Sequence, residues 1–127
     1  MLLLSIILSV FTACEKSPET MSNINGNWGL IQTKLYENGE LNGSAFSNEV
    51  TTIYTFTNCQ QKSDKSELTI EEDGEKEVYN CIYNKTEKLF ILGQINLYHI
   101  EVLTDLELVF YKEYGTYKSQ YIFSRID

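Results

Sequence analysis

From residue 26 onward the chain alternates apolar and polar residues, and clusters of turn formers break the alternation at short, regular intervals. Successive side chains of a strand point to opposite faces, so a period of two specifies half-buried strands, whereas no stretch carries the 3.6-residue apolar stripe of an amphipathic helix. Nine Tyr, six Phe and one Trp in 127 residues, with abundant Thr, Ile and Val, point the same way, because aromatic and β-branched side chains suit a pleated surface. The fold class is therefore read as all-β.

The first strand runs from Trp28 to Tyr36, followed by the turn Glu37-Asn38-Gly39-Glu40, a loop at Asn42-Gly43-Ser44 and a long connection, Leu41 to Asn48. The second covers Val50 to Asn58, with Val50, Thr52, Tyr54 and Phe56 on the inner face. A polar loop, Gln60 to Lys65, precedes two strands, Glu67–Glu71 and Glu75–Tyr83, which flank the hairpin dipeptide Asp73-Gly74. Lys88–Leu92, Ile95–Leu103, Leu106–Tyr111 and Tyr117–Ile126 complete a set of eight, with Tyr98, Ile100 and Val102 on one face and Leu106, Leu108 and Phe110 on another. Short consecutive connections predict an up-and-down antiparallel meander, and eight twisted strands avoid exposed edges most readily by closing into a small barrel.

The leader has a separate character. Residues 2–13 are uncharged and dominated by Leu, Ile, Val and Phe, a length that suits a signal-peptide core but falls short of the ~20 residues of a bilayer span. Phe11-Thr12-Ala13 places small residues directly before Cys14, which resembles the lipobox of bacterial lipoproteins, where the cysteine becomes the acylated first residue. That resemblance implies a lipid anchor in the membrane and a cell-envelope address, the outer membrane being the expected one. The segment after Cys14 is polar, holds the only proline, Pro18, and lacks periodicity. The expected division is a signal peptide over 1–13, a flexible tether over 14–24 and one barrel domain over 25–127. The formal charge of −8 lies wholly in the mature part and argues against nucleic acid or anionic lipid headgroups as partners, and one small core is read as a monomer.

With Cys14 assigned to lipid, Cys59 and Cys81 remain as an even pair in an exported chain. One reading is a disulfide, which closes a loop of roughly 22 residues and contributes roughly 3 kcal/mol; the other is two buried thiols.

Gly26-Asn27-Trp28 at the mouth of the first strand matches the Gly-x-Trp signature of lipocalins. Thr104-Asp105, between the sixth and seventh strands, and Arg125, in the last, stand where that family often has a Thr-Asp turn and a basic residue over the tryptophan. The chain as a whole resembles the lipocalin-like domains of Bacteroidetes lipoproteins, which also tend to place a cysteine after a Phe-Thr-rich second strand, as in Tyr54-Thr55-Phe56-Thr57-Asn58-Cys59. The resemblance implies an eight-stranded barrel whose base is plugged by Trp28, with Arg125 stacked on it, and a pocket for a small hydrophobic or amphipathic ligand. With no helix after the last strand, the expected pocket is smaller than a lipocalin calyx.

The interior of such a barrel is either filled by side chains or holds one small ligand. Tyr54, Phe56, Tyr98, Phe110 and Tyr121 are the candidates to line a cavity, or else to form the core. His99 is the only histidine, so a multi-imidazole metal site is excluded and a nucleophile pair would depend on this one residue, which is expected to face outward beside Glu101. The acidic Glu71-Glu72-Asp73-Gly74-Glu75 lacks the alternating spacing of a calcium loop and reads as a solvated turn. No enzyme activity, metal or cofactor is expected. Two functions remain: a small-molecule carrier, or a protein-binding module acting through exposed loops such as Glu37–Asn48, in the manner of small barrel lipoproteins that inhibit lysozyme.

Overall fold

The computed structural model describes residues 23–126 apart from 48, 60, 61 and 94, with the backbone only for 62–64. Cys14, the expected signal peptide and most of the expected tether lie outside the described residues. Nine strands form one antiparallel sheet: β1 (Gly26–Glu37), β2 (Glu40–Phe46), β3 (Thr52–Thr57), β4 (Lys62–Glu72), β5 (Glu75–Asn84), β6 (Leu89–Leu92), β7 (Asn96–Leu103), β8 (Glu107–Tyr114) and β9 (Tyr117–Arg125). Pairing of β1 with β9 closes an up-and-down barrel of eight strands, and β2 is an additional strand outside that ring. The expected all-β barrel is the fold of this chain.

The connection expected between Leu41 and Asn48 is instead mostly β2. Asn38 and Gly39 both adopt positive φ, 53° and 82°, which gives a two-residue turn whose twist matches that of the strands it joins. β1 is long enough to have two neighbours on one edge. Gly26–Gly29 pair with β3, and Gln32–Glu37 pair with β2, so β2 and β3 share one lane of the sheet, end to end. The polar loop expected to reach Lys65 is shorter, because β4 begins at Lys62.

Two bulges correct the expected facing of side chains. In β1 the register against β9 shifts between Leu30 and Gln32, which lets Trp28, Leu30, Thr33 and Leu35 all turn inward. In β7 the shift between Ile100 and Val102 keeps Tyr98, Ile100 and Leu103 inside, so Val102 leaves the face on which simple alternation puts it. Leu106 is 73% exposed in the turn before β8, while Leu108 and Phe110 are buried as expected.

The core fills the lower half of the barrel. Phe56, Phe90, Phe110 and Phe123 are buried around Trp28, with ring centroids 5.4 Å apart for Phe56 and Phe90 and 5.0 Å for Phe90 and Phe110, both edge to face. Gly29 is needed where the segments before β3 and after β9 pack on β1: a Cβ there would lie 2.8 Å from Val50 Cγ1 and 3.1 Å from Ile126 Cγ2.

The base is a clamp. Arg125 lies 4.0 Å over the Trp28 ring, and its guanidinium donates to three backbone carbonyls: Nε to Asp105 (2.8 Å), one terminal nitrogen to Asn25 (2.9 Å) and the other to Asn23 (2.7 Å). Trp28 Nε1 donates to Ile24 O at 2.8 Å, which satisfies the one polar atom of a fully buried indole. Asn25 pairs with the Cys59 backbone through both amide atoms. Asn23 and Ile24, expected at the end of the tether, therefore belong to the barrel, and Ile24 is 1% exposed.

Replacing Arg125 by alanine strips these three carbonyls and the indole face of their cation. We expect about 2–4 kcal/mol lost in chemical denaturation. Arg125→Lys should recover less than half of it, since an ammonium cannot reproduce the planar fork.

Candidate functional site

Above the aromatic core the barrel opens. Its lanes are complete only at the level of β3; higher up, β4 ends at Glu72 opposite Thr52, while β1 and β2 continue. The mouth so formed contains a concavity of about 460 Å³ whose lining includes Thr33, Leu35, Gly43, Ala45, Tyr114, Ser119 and Tyr121. A smaller cleft of about 130 Å³ lies where β2 gives way to β3, bordered by Phe46, Ser47, Thr51 and Thr52.

Two tyrosines, Tyr114 and Tyr121, line this concavity, and Tyr121 links it to a group of partly buried tyrosines on the core. Tyr54, Tyr79, Tyr98 and Tyr121 pack on the core while remaining half-exposed. Tyr98 stacks on Phe90 at 5.0 Å, and Tyr54 lies 4.8 Å from Phe123, so the rings continue the aromatic column upward. Burial first, then the neighbouring phenols of Tyr98 and Tyr121, raise the Tyr54 pKa far above the ordinary value. Burial, then Tyr121 and Tyr79, raises Tyr98; burial, then Tyr114, raises Tyr121, partly offset by the Ser119 hydroxyl. The Tyr79 hydroxyl hydrogen-bonds Glu77, which raises its pKa as well. At neutral pH these tyrosines are thus a set of neutral hydroxyls on apolar rings.

One cation reaches the rim from inside. Lys112 alternates with Phe110 and Tyr114 on the inner face of β8; it donates to Asn96 Oδ1 at 2.8 Å and sits 5.8 Å from the Tyr98 ring centre. Tyr114 and Ser119 share a hydrogen bond of 2.9 Å across the hairpin.

Of the five candidates for a cavity lining, the structure separates two from three. Phe56 and Phe110 are 1% and 0% exposed and belong to the core, so their place in a cavity wall is corrected. Tyr121 lines the concavity, whereas Tyr54 and Tyr98 are partly buried against the core. Gly26, Trp28 and Arg125 converge at the opposite end, as does Thr104, whose Oγ1 accepts from Glu107 N at 3.0 Å to fix the turn that presents Asp105 to Arg125. Gly26 has φ 124°, which a side chain would oppose. His99 stacks on Tyr111 at 5.0 Å on the outer surface, away from the mouth.

The expected disulfide is corrected too. Cys59 and Cys81 are both buried and both free thiols. They are neighbours, as a bridge requires, and perturb one another: Cys81 lowers the Cys59 pKa against the effect of burial, while Cys59, with burial, raises that of Cys81. Cys59 Sγ in turn lies 3.8 Å from Thr57 O, and Ser66 is hydrogen-bonded to Asn58 O beside it, so the pair is satisfied without a covalent bond. Counting cysteines finds such neighbours but not the state of their sulfurs.

Sequence reasoning missed Thr33, Leu35, Ala45, Tyr114, Ser119, Tyr79 and Lys112. The signal for the first three was Asn38-Gly39, a hairpin turn that demands a returning strand, hidden because Asn42-Gly43-Ser44 interrupts β2's alternation. Among the described residues no three His, Cys, Asp or Glu side chains group as a metal site. No family model matches the chain, and no curated protein or solved structure matches it either.

The raised phenol pKa values set an alkaline limit. Tyr83, buried against the two cysteines, is pushed up to about 12 from an ordinary 10.0, and Tyr54, Tyr98 and Tyr121 are raised as well. A pKa higher in the folded than in the unfolded state stabilises the fold fully below pH ~10, and that stability is lost as pH rises through the folded value. Absorbance titration should show the exposed phenols ionising first and the buried set together with unfolding as pH approaches 12.

Proposed function

We propose that this chain is a lipid-anchored, lipocalin-like carrier of the cell envelope, resembling Bacteroidetes lipoproteins, that holds one small amphipathic molecule in its mouth. The observation that carries the reading is the division of the barrel: aromatic rings fill the lower half, while above them lies a concavity of about 460 Å³ lined by the phenols of Tyr114 and Tyr121 with Thr33, Leu35 and Ala45. Such a surface suits a ligand with an apolar ring system and one or two polar groups, because rings stack below and hydroxyls donate or accept above.

The orientation of the barrel supports the anchor. The chain enters at the clamped base, Asn23–Asn25, so an acyl group on Cys14 would place the closed end toward the bilayer and the mouth away from it. Function is then binding rather than catalysis: the single histidine is engaged with Tyr111 on the outer wall.

Native mass spectrometry of the protein purified from its own membranes should show a bound mass that Tyr121→Trp, which fills the mouth, diminishes. Bare protein, with no displacement of an environment-sensitive fluorophore, would sink the carrier reading. Independently, Cys14→Ala should move the protein from the membrane to the soluble fraction.

A further inference from the structure

β2 leaves a strand lane open. Among the described residues it pairs with β1 alone, and β4, the strand that should lie on its other edge, ends at Glu72, level with Thr52. The open edge therefore starts where β4 stops and runs the length of β2, roughly 23 Å at ~3.3 Å per residue. Every β2 residue is exposed, including Leu41 at 57% and Phe46 at 68%.

The edge has only part of the usual protection, a bulge at Asn42 where the register against β1 shifts. Natural edge strands carry lysine, proline or inward charges that discourage pairing, yet Leu41 to Phe46 holds no charge and no proline. Its backbone is turned the right way. Ser47 N bonds to Ile31 O, so in the ladder against β1 the pairs of Ala45 with Thr33 and Gly43 with Leu35 are the bonded ones, while Ser44 and Phe46 aim their N–H and C=O groups at the open side.

We infer that this lane receives an extended, cationic peptide segment of a partner protein, which adds as a strand to β2 and inserts alternate side chains into the mouth. Charge selects the occupant. The lane begins at Glu72 and Asp73 and passes Glu49 and Glu40, all exposed, against two cations, Lys76 in the β4–β5 turn and Lys34, opposite Ser44 on β1. A second copy of this chain would bring a second set of these acids, and each chain carries a formal −8, so self-pairing is opposed. A peptide with lysine or arginine on one face and apolar residues on the other meets the acids with the first and the concavity beside Ala45 and Tyr121 with the second.

The inference goes beyond the carrier reading and has its own test. A capped, fluorescein-labelled nine-residue peptide of alternating lysine and valine is titrated with the full chain and followed by anisotropy. Saturable binding is expected at low salt, weakened at least ~tenfold at high salt, and at least ~tenfold weaker for the glutamate–valine peptide. Ser44→Pro removes a donor aimed at the lane without removing a ladder bond to β1; its thermal midpoint should hold while peptide binding falls at least ~tenfold. A lysine–valine peptide N-methylated at every second residue should lose as much against the unmodified protein, where no folding question arises. Equal binding of the methylated and plain peptides, equal binding of the acidic peptide, or no saturable binding overturns the proposal. So does a sedimenting dimer that Ser44→Pro dissolves, which would give the lane to a second copy. A bound small molecule in the mass spectrum with no peptide binding would keep the carrier reading and reject this one.

Discussion

The seam between β1 and β9 is the pairing on which the rest of the molecule depends. Without it the sheet is an open meander with two long edges; with it the apolar side chains of the eight ring strands face one interior. The seam runs from Trp28 opposite Arg125 to Glu37 opposite Tyr117, and the bulge at Ile31 lets it hold an inward face on both sides of its length. Below the bulge that face is Trp28 and Leu30, which fill space. Above it, Thr33 and Leu35 border space left open.

Much of this was legible in the residues. Period two, Asp73-Gly74 and Thr104-Asp105 placed the hairpins, and Gly26, Trp28 and Arg125 marked a base that the structure joins through stacking and carbonyl hydrogen bonds. Legibility failed where one extra residue changes the phase. The bulges of β1 and β7 depend on twist and closure, which alternation along a single strand does not encode, so Val102 was assigned to the wrong face. β2 was hidden for another reason. Its side chains contact little, so no apolar pattern was needed to specify it, and the turn at Asn38-Gly39 was its clearest sign.

The mouth was only half readable. Tyr54, Tyr98 and Tyr121 were picked out as inward aromatics, yet Phe56 and Phe110 carry the same signal and lie lower in the barrel. Depth along the axis separates core from lining, and depth follows from strand tilt and from how far each strand extends past its neighbour. Cys59 and Cys81 show a similar boundary: proximity was inferable, the bond between the sulfurs was not.

The clamp at the base also governs when the barrel can exist at all. Arg125 grips carbonyls of residues 100 and 102 positions earlier in the chain. Loops of that span close at high entropic cost and make for slow folding, because local hairpins form well before the two ends meet. The first strand thus waits for the last: until Arg125 has been synthesised, Trp28 has no cover and the sheet keeps two unpaired edges. A barrel built this way stays open until its last strand is available, and its stability arrives in one late step.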